Sequence, residues 1–151
     1  MLNKAVTDFT VPATGGRSVT LSDLRGKVVV LYFYPKDDTP GCTTEGQEFT
    51  VLNAKFAEAG AVVFGVSRDD MKSHENFKAK LCMPFELLSD AEEKLCNMFG
   101  VIKMKNMYGK EVRGIERSTF VIDGKGVLRR EWRGVKAPGH AQEVLDYINT
   151  L

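Results

Sequence analysis

Apolar residues along this chain fall into two kinds of block, short continuous runs and longer stretches with helical spacing. Residues 28–34 (VVVLYFY) form a continuous β-branched and aromatic run, the pattern of a strand buried on both faces. Residues 61–67 (AVVFGVS) repeat that pattern. Between them the chain breaks at residues 35–41. Phe49, Leu52 and Phe56 then recur at helical spacing, which predicts a helix over about 40–59 that stops at Gly60. A second helix is predicted over 71–81, with Phe77 and Leu81 on one face. A short strand is predicted over 85–88, and a third helix over 91–99 with Leu95 and Phe99 inward. Ahead of the first buried strand, residues 9–11 and 18–21 flank Thr14-Gly15-Gly16 as a hairpin. Residues 118–123 and 127–132 flank Gly124-Lys125-Gly126 as another. A last helix begins near Pro138, with Val144, Leu145 and Ile148 apolar. Residues 101–117 follow neither period and read as a long loop or a short extra strand.

Two strand–helix–strand units imply parallel pairing with right-handed crossovers, and the later hairpin adds an antiparallel edge. The expected class is therefore α/β: a thioredoxin-like arrangement with a mixed central sheet, helices on both faces and an N-terminal β-hairpin. A length of 151 residues fits one domain over 1–151. A domain of that size buries roughly 68–70% of its unfolded surface, so it needs neither disulfide nor metal to hold a core. A net charge of +1 without a basic stripe removes the main electrostatic motive for nucleic-acid binding. The first residues carry no apolar signal-type segment, and no apolar run approaches a membrane span.

Three cysteines, Cys42, Cys82 and Cys96, form no CxxC pair, and the two histidines stand far apart in sequence. A zinc site is not expected. An odd, low count without a signal segment points to a reducing, cytoplasmic setting in which any disulfide is transient. Cys96 is flanked by Leu95 and Met98 and reads as core packing. His74 and His140 read as helix-terminus or surface residues, Lys36, Asp37 and Asp38 as solvated loop, and Met104 and Met107 as packing or loop residues.

The chemistry concentrates between residues 34 and 45, YPKDDTPGCTTE, which join a buried strand to an amphipathic helix. Ligands of open α/β sheets bind at the C-terminal ends of strands. Thr39 followed by Pro40 reads as an N-cap with proline in the first helical position. Cys42 then falls in the first turn, among unpaired backbone N–H groups, where the helix dipole favours a thiolate. A packed, inert cysteine is the alternative from placement alone.

Pro35-x-x-x-Thr39-x-x-Cys42 matches the active-site signature of peroxiredoxins. The wider string resembles the branch called bacterioferritin comigratory protein, or PrxQ. The likeness extends over the chain through Gly65-Val66-Ser67, Leu88-Ser89-Asp90, residues 106–110 and residues 116–120. The resemblance implies a thiol peroxidase for hydrogen peroxide and organic hydroperoxides. Cys42 would be the nucleophile, Thr39 would offer its hydroxyl to the peroxide, and Pro35 would shield the sulfur. Arg117 would stabilise the thiolate and the departing oxygen, and Glu45 would orient that arginine. Attack of sulfur on an O–O bond asks for such fixed donors in any case, because negative charge moves to the leaving oxygen. The sulfenic acid formed must then be reduced.

Many relatives carry a second cysteine five residues after the first, where this chain has Gln47; a second subgroup carries it where this chain has Lys78. Cys82 lies four residues beyond that, about 6 Å along a helix axis. It is expected to stand farther from Cys42 than a disulfide allows without local unfolding. Two cycles stay open: Cys82 as resolving residue, or a one-cysteine cycle with thioredoxin, glutaredoxin or glutathione as reductant. The branch implies a monomer. No GxGxxG or P-loop appears, so no bound cofactor is expected. Competing readings on the same fold are a thiol–disulfide oxidoreductase, which lacks its CxxC here, and a binding or holdase module, which would not need Pro35, Thr39, Cys42 and Arg117 together.

Overall fold

The central strand of the molecule is the first buried run of the sequence. In the computed structural model, which describes residues 1–151 apart from the side chain of Met107, β3 (Val28–Phe33) is buried from Val29 onward. It pairs in parallel with β4 (Ala61–Ser67) and antiparallel with β8 (Ser118–Ile122). Strand β5 (Glu86–Ser89) extends the parallel side, and β9 (Leu128–Arg133) closes the antiparallel edge. The N-terminal hairpin of β1 (Thr10–Ala13) and β2 (Arg17–Thr20) joins beside β5. The result is a seven-stranded mixed sheet in the order β2-β1-β5-β4-β3-β8-β9.

Helices cover both faces. On one, α1 (Pro40–Glu58) sends Phe49 and Phe56, α2 (Met71–Leu81) sends Phe77, and α4 (His140–Ile148) sends Val144, Leu145 and Ile148 into one apolar cluster. On the other, α3 (Lys94–Phe99) packs Leu95, Cys96 and Phe99 with Phe9, Val11, Phe33 and Phe120. That α1 and α2 share a face follows from two right-handed crossovers stepping in the same direction across the sheet. Both helices therefore start from the same sheet edge, which is where the chemistry lies. Among the described residues, no helix is long and apolar enough to cross a membrane.

Several expectations need correction. Residues 101–117 are neither loop nor a single strand. They form a separate two-stranded hairpin of β6 (Ile102–Met107) and β7 (Lys110–Ile115), turned at Tyr108-Gly109. Its residues are largely exposed, so no burial pattern marked it in the sequence. Met104 is exposed, and the reading of the Met107 side chain lies outside the described residues. The third helix begins at Lys94 rather than Ala91. Asp37 is buried rather than solvated, and His74 and His140, in the first turns of α2 and α4 as the helix-terminus reading has it, are buried rather than at the surface. A polar residue is tolerated inside when hydrogen bonds replace water, and each of the three has them.

Candidate active site

The break between β3 and α1 carries the site. Pro35 stands half-buried two residues past the end of the central strand. Thr39 occupies the N-cap position of α1 with extended backbone, φ −99° and ψ 156°, and proline follows it. The expected side-chain cap is not formed. The Thr39 hydroxyl instead donates to Lys36 O at 2.8 Å, closing the loop on itself. First-turn N–H groups of α1 thus face the Cys42 end without a side-chain cap.

Cys42 is 2% exposed. The Arg117 guanidinium donates through Nη2 to Cys42 Sγ at 3.4 Å and through Nη1 to Glu45 Oε1 at 2.7 Å. Arg117 lies just ahead of β8, after β7, and its carbonyl accepts from Val135 N at 3.0 Å, which steadies its backbone. Glu45 is fully buried one turn beyond Cys42, and its Oε2 has no hydrogen-bond partner among the described residues. Burial pushes the Glu45 carboxyl up to about 7, with Arg117 opposing. Burial works against the charge on Arg117, but Glu45 and Cys42 outweigh it, and its pKa rises.

The structure therefore brings Pro35, Thr39, Cys42, Glu45 and Arg117 to one sheet edge, as the sequence motifs imply. It also adds groups that sequence reasoning missed. A Cβ at Gly41 would stand 3.0 Å from Arg117 Nη2, so the residue beside the cysteine must be small for the guanidinium to reach the sulfur. Lys105, on β6, donates to Ile115 O. Burial and the neighbouring Arg117 push the Lys105 pKa down, and the charge on Cys42 opposes them. Nothing in the local pattern of residues 101–117 signalled a cation near this site.

Cys82 is set apart from this cluster. It caps the C-terminus of α2 in the left-handed region, at φ 51°, and is exposed. Its neighbours Leu81 and Met83 lie on α1 at Gly46, four residues past Cys42. A Cβ there would meet Met83 Cε at 2.6 Å and Leu81 Cδ1 at 3.2 Å. The end of α2 thus packs against α1 at Gly46, one turn beyond Cys42. Cys96 is buried on the opposite face of the sheet, as the apolar flanks predict.

A sulfur held against a guanidinium at an uncapped helix start, on a thioredoxin-like sheet, defines a thiol peroxidase. Residues 2–131 match the AhpC/TSA family, and the chain belongs to it: it is a peroxiredoxin, an enzyme of antioxidant defence. Among the relatives it resembles is peroxiredoxin Bcp of Xanthomonas campestris, 53% identical over 144 residues, covering 95% of this chain and 90% of that one. Peroxiredoxin Bcp of Bacillus subtilis is 49% identical over 95% of this chain and 92% of its own length. Solved structures agree. A Xanthomonas campestris bacterioferritin comigratory protein has a TM-score of 0.90 at 51% identity, covering 94% of this chain and 90% of that one. A cysteine-to-serine variant of Xylella fastidiosa PrxQ has a TM-score of 0.94 at 45% identity, covering 99% and 96%.

Proposed function

We propose that Cys42 is the residue that attacks the peroxide. The observation that carries this reading is the Arg117 Nη2 contact to Cys42 Sγ at 3.4 Å, with the guanidinium held by buried Glu45. The Cys42 thiolate attacks one peroxide oxygen, a sulfur–oxygen bond forms as the O–O bond breaks, and the electron pair goes to the departing oxygen. That oxygen takes a proton and leaves as water or an alcohol, and Cys42 becomes a sulfenic acid. Arg117 and the N–H groups at the start of α1 stabilise the charge as it moves. The Thr39 hydroxyl hydrogen is donated to Lys36 O, so its lone pairs are free to accept from the peroxide O–H. Pro35 covers the approach and limits water at the sulfur.

Hydrogen peroxide and organic hydroperoxides are the substrates in this reading. The solved Xanthomonas campestris protein was described for its alkyl peroxide reduction activity, which supports the organic part. A thiol then attacks the sulfenic sulfur, water leaves, and a second thiol releases Cys42 and carries away the disulfide. Thioredoxin, glutaredoxin or glutathione is the reductant, and the protein acts as a cytoplasmic monomer. Cys82 acts as the first thiol where the end of α2 unwinds from α1; otherwise the external thiol acts directly. The packing of Leu81 and Met83 on Gly46 favours the first route, and the exposed, outward thiol of Cys82 favours the second. Thiol–disulfide exchange of the CxxC kind lacks its second sulfur, because the third residue after Cys42 is Glu45, already bound to Arg117.

The test is intact mass before and after one equivalent of hydrogen peroxide with a sulfenic-acid trap present. One trapped sulfenic acid at Cys42 supports a one-cysteine cycle. Loss of two hydrogens, mapped to a Cys42–Cys82 peptide, supports the internal disulfide. Oxidation mapped to neither would sink the assignment of Cys42.

A further inference from the structure

His74 touches no reacting group, yet it anchors the loop that shapes the site. Its side chain is fully buried in α2. Nε2 lies 2.9 Å from Leu88 O, a carbonyl that only accepts, so Nε2 carries a hydrogen. Nδ1 lies 2.7 Å from Asp37 Oδ2. Asp37 also accepts from the Tyr34 hydroxyl at 2.6 Å and from the Ser73 hydroxyl at 2.8 Å. Three side chains thus converge on the Asp37 carboxyl group, and two of them meet at Oδ2. The His74–Asp37 pair is buried, and both ring nitrogens and both carboxyl oxygens have a hydrogen-bond partner.

Asp37 sits midway between Pro35 and Thr39. Its backbone N–H donates to Asp69 Oδ2 at 2.9 Å, and Ser67 donates to the same oxygen at 2.6 Å. The next residue, Asp38, takes φ 60°, a left-handed turn that aspartate adopts more readily than most side chains. Thr39 then turns its hydroxyl back onto Lys36 O. The path from His74 to Thr39 is therefore one pinned carboxylate and two residues of constrained backbone. The groups facing His74 are Asp37 on the loop, Asp69 on the turn before α2, Tyr34 at the end of β3, and the Leu88 carbonyl on β5.

We propose that His74 is a positioning residue for peroxide reduction. Through Asp37 it holds the Pro35–Thr39 loop so that the Thr39 hydroxyl and the first turn of α1 meet a peroxide at the Cys42 sulfur. The proposal rests on the reading of Cys42 as the attacking residue. It places the effect of His74 on the peroxide and not on the sulfur, because Arg117, which contacts the sulfur, is held by Glu45 and not by this network.

The experiment compares two reactions of the same sulfur in folded full-length protein at neutral pH, oxidation by hydrogen peroxide and alkylation by iodoacetamide. The variants are His74→Gln, Asp37→Asn and the pair together. A misplacement of about 1 Å costs up to about a hundredfold in rate. The expected result is an oxidation rate lowered about tenfold or more in each single variant, with alkylation within about threefold of wild type. The double variant is expected to be no worse than the singles, since the two residues act as a unit. Oxidation within about twofold of wild type in folded variants would overturn the proposal, as would oxidation and alkylation falling in parallel. If His74→Gln does not fold, Tyr34→Phe and Ser73→Ala each remove one donor to Asp37 and carry the same test, with an expected loss of about threefold to tenfold. Sulfenic-acid mapping on wild type stands apart: label away from Cys42 would remove the Cys42 reading, whatever the His74 variants show.

Discussion

Cys42 and Cys96 occupy nearly the same local position, and their surroundings oppose each other. Each is the third residue of a helix, each is buried, and each has a charged side chain from another segment beside it. At Cys42 the neighbour is a cation, Arg117, and the helix start has no side-chain cap. At Cys96 it is an anion. Asp90 accepts from Leu95 N at 3.0 Å and from Cys96 N at 2.8 Å, and so consumes the donors that would otherwise favour a thiolate. Burial first, and then Asp90, push the Cys96 thiol far up. A cysteine in a first helical turn is therefore not reactive by position. It is reactive when the N–H groups there are left free and the nearest fixed charge is positive.

That contrast can be broken outright by removing one sulfur. Cys42→Ser should abolish peroxide turnover in a coupled assay, and measurable steady-state activity would transfer the chemistry elsewhere. Removing the cation is the next largest step. Arg117→Ala should lower the second-order rate of Cys42 oxidation by roughly two to three orders of magnitude, the usual effect of losing one anion-stabilising donor; stopped-flow data showing less than a fivefold loss would reject the role given to Arg117.

A smaller effect concerns the carboxylate behind the arginine. Glu45 has its pKa raised from an ordinary 4.5 to about 7 by burial. A group raised in the fold binds its proton more tightly there than in the unfolded chain. Its contribution to stability is full below about pH 4.5 and is lost as pH rises through about 7. Glu45→Gln should flatten the stability profile over that window by about 3 kcal/mol, read from denaturant unfolding at a series of pH values. An unchanged slope would mean that Arg117 holds Glu45 ionised throughout.

On the inert side, Asp90→Asn should cost about 1 kcal/mol through loss of one of its two hydrogen bonds from the first turn of α3. It should also bring Cys96 thiolate absorbance to lower pH in a Cys42→Ser, Cys82→Ser background. The smallest effect belongs to Cys96→Ser, expected to leave peroxide turnover within about twofold of wild type. A large loss there would end the assignment of Cys96 to packing.

Much of the fold was legible because its strands are buried on both faces or paired through short Gly turns. Residues 28–34 and 61–67 could be placed without knowing their neighbours. The hairpin over 102–115 was not legible, because a two-stranded ribbon with little buried surface shows no apolar period to read. Pro35, Thr39, Cys42 and Arg117 were found through spacing and motif. Asp37 was read as solvated, because a charged residue in a polar loop ordinarily is, and the helix-terminus reading of His74 did not carry its burial. Only the partners of Asp37 reveal otherwise: Tyr34 just after β3, Asp69 just after β4 and His74 on α2, up to 37 residues away. Gly41 passed unnoticed for a similar reason: the guanidinium that needs its space lies at Arg117, far along the chain.

The sequence by itself determined that a cysteine stands at a strand-to-helix junction of a mixed α/β sheet, since periodicity and turn residues act over a few positions. It also supplied the full set of residue types that the chemistry needs. Tertiary structure alone decided which cysteine receives the cation and which the anion, where Glu45 and Asp37 find their partners, and how near the end of α2 comes to α1. Those outcomes depend on charges and contacts a few ångströms apart in space but tens of residues apart in the chain. No local pattern encodes such distances; packing of the two faces of the sheet sets them.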